Sequence, residues 1–566
     1  MTASACEYLY AADEHANMAD TYTGADLLVD ALDAYGVEYV FGNPGTTELP
    51  ILDAIADSTL EYVLGLQEDI ATGMAAGYAS ARRHQPGVEH PLGVANLHVT
   101  PGLAHGLGNI FAAMYAGAPV LVTAGNHERD FRHEEPILTG DLEALAEQFC
   151  KETAEVTDID ALPMLLRRAV RRALTPPTGP VFLALPSDVM REPTDADPER
   201  LGAIPDAGGG DSEQIAAAAA AFETAEQPVM VVGDHVARAG RVATEAAVDL
   251  AEATGARVHG EILGGEVSFP TDHRQFASVI SPDETAAREA MDADVLALIG
   301  CSTNTTLMRH EESLVPEDAT IVQLSSAPRE VGKNHPADIA VIGDPGRIMQ
   351  QITDRVAQQI DDTTRRQRIE AIGATTPDPL EDAEALTKAR LVEAMHDVAP
   401  EAFVIDESIT AREPLLERMP FEPGQYLWNT GGGLGYGLPA AVGAAMAEAE
   451  RTDPRPVVGF IGDGSYLYYP HAIYTAAAEG ADLTVVIPDN RSYQILKDNT
   501  VAMLGGDYDA YDFVGMDFEP PVDLPTNAES HGARGHRVTS IDAFEETFAT
   551  AIDRSGPDVI DVILEE

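Results

Sequence analysis

From Tyr22 onward, short apolar runs alternate with alanine-rich stretches. The runs "VEYVFG", "EYVLGL", "LGVANLH", "APVLVTAG" and "GPVFLALP" read as strands, and the stretches between them as helices. That alternation predicts a parallel sheet covered by helices. A Gly- and Asp-rich segment, "DAGGGDSEQ" at 206–214, interrupts it and marks a boundary. A second set follows in "QPVMVVG", "ARVHG", "ADVLALIG" and "ATIVQLS". A further break in "GATTPDPLEDAEAL" (373–386) precedes "AFVID", "RPVVGFIGDG", "LTVVIPDN" and "PDVIDVIL". The chain therefore reads as α/β, with three doubly wound domains and mainly parallel sheets. They cover residues 21–195, 212–360 and 380–566, behind a polar tail at 1–20.

One junction stands out. In "LGLQEDIATGMAAGYASARR" (64–83), an apolar strand at 61–66 gives way to an alanine-rich helix at 70–83, and Glu68 sits at the hinge with little polar company.

Charge narrows the function classes. The chain carries 94 acidic and 35 basic residues, a net charge of −59, spread through every segment. Such a surface repels nucleic acid and anionic membranes. Lysine is confined to Lys151, Lys333, Lys388 and Lys497, and diffuse acidity with so little Lys points to a high-salt, halophilic cytoplasm. Cys6, Cys150 and Cys301 show no metal spacing and suggest a reducing compartment. The first twenty residues do not read as a signal peptide, and no apolar run is long enough to span a bilayer. The expectation is a soluble cytoplasmic protein acting on small molecules.

The sharpest chemical pattern lies in "PVVGFIGDGSYLYYPHAIYTAAAEGADLTVVIPDNRSY" (456–493). A strand ends at Ile461, a turn passes Gly462, Asp463 and Gly464, a helix is predicted to about Glu479, and a second strand ends at Asp489 and Asn490. In a βαβ unit the two strand ends lie side by side, so Asp463 and Asn490 converge. One carboxylate and one amide oxygen suit Mg²⁺ shared with phosphates. Gly464 permits close approach of an anion to the helix start.

This combination resembles the metal and diphosphate signature of thiamine-diphosphate enzymes, and the resemblance extends over most of the chain. It is closest to the 2-oxo-acid decarboxylase and acetolactate-synthase-like group, and within that group to the benzoylformate decarboxylases. "FGNPGTTELPILDA" (41–54), "LGLQEDIATGMAAGYA", "NLHVTPG" (96–102) and "GGGLGYGLPAAVGAA" (431–445) resemble the group's N-terminal, glutamate, histidine and cofactor-clasping stretches. The resemblance implies pyrimidine-binding, middle and diphosphate-binding domains, in that order.

It also implies roles. Glu68 would hydrogen-bond N1′ of the aminopyrimidine and favour its imino tautomer, whose 4′-nitrogen is the internal base. Leu434 would hold the cofactor bent, and the Gly432 carbonyl, beside Gly433, would meet the 4′-amino group. Asp463, Asn490 and the Ser492 carbonyl would hold Mg²⁺. Gly464, Ser465 and Thr410 would lie near the diphosphate, with Asn43, Pro44 and Tyr493 among the other cofactor contacts. His98 would move protons and Thr46 would bind the substrate carboxylate. Assembly would be as a dimer or tetramer, Glu68 of one chain facing the diphosphate site of another.

Several positions depart from the group's pattern. Leu307 falls where benzoylformate decarboxylases carry a second histidine, with His310 three residues on. His105 replaces an Asn, Ile409 stands where relatives often offer a hydroxyl, and Asn499 replaces a pocket Phe, while Trp428 keeps an aromatic position. "PVMVVGDHVARAG" lacks a dinucleotide fingerprint and no FAD loop is evident, so FAD is not expected. The expected reaction is non-oxidative decarboxylation of a 2-oxo acid. The alternatives are an acetolactate-synthase-like carboligase and, disfavoured by the full cofactor set, a non-catalytic binding subunit.

Overall fold

A computed structural model describes residues 21–302, 309–373, 377, 379–380 and 385–564. Three six-stranded sheets, all with parallel pairing, carry the architecture. The first contains β1 (Tyr39–Gly42), β2 (Glu61–Leu64), β3 (Gly93–Leu97), β4 (Val120–Asn126), β5 (Thr153–Glu155) and β6 (Val181–Pro186). The second contains β7 (Pro228–Val232), β8 (Arg257–Gly260), β9 (Phe276–Val279), β10 (Val295–Ile299), β11 (Thr320–Ser325) and β12 (Ile339–Ile342). The third contains β13 (Phe403–Glu407), β14 (Tyr426–Trp428), β15 (Val457–Ile461), β16 (Leu483–Asp489), β17 (Arg534–Val538) and β18 (Asp558–Ile563).

The first and third sheets share one strand order, β2-β1-β3-β4-β6-β5 and β14-β13-β15-β16-β18-β17. The second runs β12-β11-β10-β7-β8-β9. Most central strands are buried on both faces, which explains their continuous apolar runs. The expected three parallel-sheet α/β units are observed.

The first and third units join through two helices rich in small residues, Glu68–Arg82 and Gly437–Ala449. A Cβ on Gly77 would lie 2.1 Å from the Ala440 carbonyl oxygen, and one on Gly443 2.0 Å from that of Met74. Only glycine lets these backbones touch. Around the crossing, the Tyr78 hydroxyl donates to Glu450 (2.5 Å) and Gln85 Nε2 to the Ala447 carbonyl (2.7 Å). The small residues after Glu68 thus serve a contact between two units of the same chain.

A buried ionic junction ties in the second unit. Glu266 accepts from Arg83 (2.6 Å), lies 3.1 Å from His84 Nε2 and 3.3 Å from Arg238 Nε. Arg238 also pairs with the fully buried Asp234 at 2.8 Å. Burial alone would raise the Glu266 pKa, but Arg83, His84 and Arg238 hold it down at about 2.

One expected element is divided. The helix after Gly464 splits into Asp463–Tyr466 and Ala472–Ala478. Pro470 falls in the break, where a missing N–H and the ring oppose a continuous helix.

Candidate active site

In the first sheet, β2, β1 and β3 are neighbours, so their carboxyl ends deliver three loops to one edge. β1 leads to Asn43, Pro44 and the 3-10 turn Thr46–Glu48, β2 to Glu68, and β3 to His98. Asn43 Nδ2 donates to the Gly65 carbonyl (2.9 Å), tying the first two loops together. Gln67 caps the helix by accepting from the Asp69 and Ile70 amides, which sets Glu68 at its first turn.

Glu68 and His98 flank one glycine. A Cβ on Gly102 would lie 3.2 Å from Glu68 Oε1 and 3.3 Å from His98 Cβ. The Glu68 side chain is 12% exposed, and His105 Nδ1 lies 3.3 Å from its Oε2. His98 Nδ1 lies 2.8 Å from Oε2 of Glu48, a fully buried carboxylate. Glu48 also accepts from the Gly45 amide (2.9 Å), the Thr47 hydroxyl (2.7 Å) and the Gly125 amide (2.8 Å). The hydrogen bond to Glu48 raises the His98 pKa above the ordinary histidine value, against partial desolvation. Thr47 Oγ1 is 3.2 Å from His98 Nδ1, whereas Thr46 is exposed.

In the third sheet, β13, β15 and β16 are adjacent. Ile409 and Thr410 follow β13, Asp463, Gly464 and Ser465 follow β15, and Asn490, Ser492 and Tyr493 follow β16. The Ser492 amide lies 3.2 Å from Asp463 Oδ2 and 3.1 Å from Asn490 Oδ1, so the structure brings those two oxygens together. Burial, and then the neighbouring Asp489, raise the Asp463 pKa. A crowded acid of this kind suits a cation. Among the described residues no group of three or more His, Cys, Asp or Glu could hold a metal ion, so Asp463 and Asn490 would depend on further oxygens such as phosphate. The Ser465 hydroxyl donates to the Glu407 carbonyl (3.1 Å), and the Tyr493 ring packs over Gly464.

The glycine loop has room for a ligand. Added Cβ atoms on Gly432 and Gly433 would meet nothing within 4 Å, and Gly432 has φ +71°. Leu434 follows, part-buried.

Three of these strand ends carry backbone strain. Val99, Ile409 and Arg491 have φ of +33°, +57° and +55°, a left-handed region that non-glycine residues rarely adopt and that is costliest for the β-branched Val99 and Ile409. Each directly follows or adjoins a candidate residue.

Among the other expected positions, His310 lies apart. The His310 ring contacts the Pro282 carbonyl at 3.2 Å within the second unit, and Leu307 lies outside the described residues. Asn499 lies on the helix Gln494–Leu504, which buries none of its residues. Trp428 stacks against Arg412, 4.3 Å from guanidinium carbon to ring centroid.

Sequence reasoning missed Glu48, Thr47 and Glu407. Glu48 lay inside a quoted stretch, where an acid three residues after Gly45 is a capping signal.

The chain matches the thiamine pyrophosphate enzyme N-terminal TPP-binding domain over residues 22–149, the central domain over 215–352 and the C-terminal TPP-binding domain over 415–562. It is 28% identical to benzoylformate decarboxylase of Pseudomonas aeruginosa, covering 94% of this chain and 97% of that one. It is 26% identical to the acetolactate synthase large subunit of Parasynechococcus marenigrum, covering 97% and 88%. Among solved structures, the thiamine-diphosphate-dependent 4-hydroxybenzoylformate decarboxylase of Rhodococcus jostii superposes with a TM-score of 0.84 at 26% identity, covering 96% and 99%. With the three domain models matched in order along it, this chain belongs to the thiamine pyrophosphate enzyme family.

Proposed function

We propose that the protein decarboxylates a 2-oxo acid non-oxidatively, to an aldehyde and CO₂, using thiamine diphosphate and Mg²⁺. The observation that carries this reading is that Glu68 and a Glu48-held His98 come together over Gly102. Bound thiamine diphosphate would supply a nucleophilic carbon and an electron sink. Glu68 would hold the pyrimidine N1′. His98, its ring fixed through Nδ1, would hand a proton through Nε2 to the carbon that loses CO₂. The Thr46 hydroxyl would orient the substrate carboxylate. Asp463, Asn490 and the Ser492 carbonyl would hold Mg²⁺, and Gly432, Gly433 and Leu434 would clasp the pyrimidine.

Two copies complete each site in this reading. By resemblance to the family, Glu68 of one copy would serve the glycine loop of another, in a dimer or tetramer. The net charge of −59 fits a salt-rich cytoplasm.

A carboligase of the acetolactate-synthase kind is the second reading, favoured by the acetolactate synthase relative. A flavin would not be part of either reaction. At the crevice of the second sheet, Glu261 accepts from the Asp234 amide (2.7 Å) and the Ser302 amide (2.8 Å), positions a nucleotide phosphate would otherwise use. Purified protein incubated at molar salt with Mg²⁺, thiamine diphosphate and a panel of 2-oxo acids should release aldehyde. Acetolactate as the main product from pyruvate would overturn the decarboxylase reading.

A further inference from the structure

We propose that Glu407 and Asn429 act as a positioning pair that sets the shape of the glycine loop at 431–435, and through it the affinity for the aminopyrimidine half of the cofactor. The proposal rests on the assignment of that loop as the cofactor clasp. Glu407 ends β13 with no exposed surface. Its carboxylate accepts from Asn429 Nδ2 (2.6 Å) and from the amides of Gly437 (3.0 Å), Gly435 (3.2 Å) and Tyr436 (3.3 Å). Its carbonyl accepts from the Ser465 hydroxyl and the Gly462 amide, both at 3.1 Å. One residue thus holds the entrance of the glycine loop, its exit, and the turn that presents Asp463.

The arrangement requires an acceptor without a proton. Four donors converge on two oxygens, which a carboxylate satisfies and an amide does not. Gly437 makes the approach possible, since a Cβ there would lie 2.7 Å from Glu407 Cβ and 3.1 Å from Oε2. Burial is the main influence on the carboxyl and pushes its pKa up to about 7, while the donors oppose the rise.

Asn429 carries the effect into the loop. Its Nδ2 donates to the Gly433 carbonyl as well as to Glu407, turning that carbonyl inward. The Gly432 amide in turn donates to the Asn429 carbonyl at 3.2 Å. Gly432, in the left-handed region, makes the turn that leaves its own carbonyl outside this internal set. Asn429 Oδ1 is buried without a hydrogen-bond partner, so the amide is held by its donor side alone.

The test uses the whole chain and two variants, Asn429→Ser and Glu407→Gln. Amide hydrogen exchange is followed at 433–437 without cofactor, thiamine diphosphate affinity is measured with Mg²⁺ by calorimetry, and kcat is taken at saturating cofactor. Asn429→Ser should keep its thermal midpoint, exchange faster at Gly435 and Gly437, and bind thiamine diphosphate roughly tenfold more weakly with kcat within about twofold. Glu407→Gln should shift in the same direction and further. A merely structural role would lower the midpoint without separating affinity from kcat. Exchange and affinity both within about twofold of the wild type in both variants would overturn the proposal. Failure of the functional reading looks different: the wild type itself would not bind thiamine diphosphate, while exchange would still report whether the pair holds the loop.

Discussion

His98 Nδ1 and Glu48 Oε2 lie 2.8 Å apart at the edge of the first sheet, with the carboxylate fully buried and the ring partly open. The pair joins residues fifty positions apart. Because Nδ1 is engaged, Nε2 is the nitrogen free to face a substrate. Glu48→Gln should lower kcat/KM by roughly tenfold or more and leave thiamine diphosphate binding unchanged. The raised His98 pKa means that the pair stabilises the fold fully at pH below the ordinary histidine value and loses that contribution as pH rises through the raised value. The variant should lose this pH dependence, read from thermal midpoints across the pH range.

Glu68→Gln should keep the fold and the affinity for thiamine diphosphate but reduce turnover by about 10²-fold or more. Unchanged turnover would remove Glu68 from the mechanism.

Two glycines should behave oppositely. A Cβ on Gly443 meets the Met74 carbonyl oxygen at 2.0 Å, whereas one on Gly433 meets nothing. Gly443→Ala should destabilise the chain by roughly 1–3 kcal/mol as the two helices are forced apart. Gly433→Ala should leave the thermal midpoint in place and weaken cofactor binding, which calorimetry would show.

The junction of Glu266 with Arg83, His84 and Arg238 predicts acid sensitivity. Glu266 is depressed to about 2, so its stabilisation is present above the ordinary glutamate value and lost as pH falls towards 2. Glu266→Gln leaves Arg83 buried without its anion, while Arg238 keeps Asp234, and should cost about 3–5 kcal/mol. Denaturant unfolding at neutral and acidic pH would measure both.

With a net charge of −59, thermal stability should rise from about 0.1 M to molar KCl as self-repulsion is screened. Scanning calorimetry across that range checks it.

The sequence by itself determined the three parallel sheets and which strand ends hold the candidate residues. Strand and helix periodicity are local, and a parallel βαβ connection leaves little choice about which edge its loops occupy. That is why the sequence pairs Asp463 with Asn490, and the structure joins them through the Ser492 amide. What stayed illegible depends on distance and rotation. One position along a 3-10 turn separates Thr47, which reaches His98, from Thr46, which faces solvent. Glu407, and Glu48 in its contacts with His98 and Gly125, find partners on strands and loops far along the chain, and only the strand order brings these within hydrogen-bond reach. The small residues after Glu68 signal close packing, but the backbone of Ala440 as their partner was a matter for tertiary structure, since helix pairing is decided by the whole buried surface rather than by either helix alone.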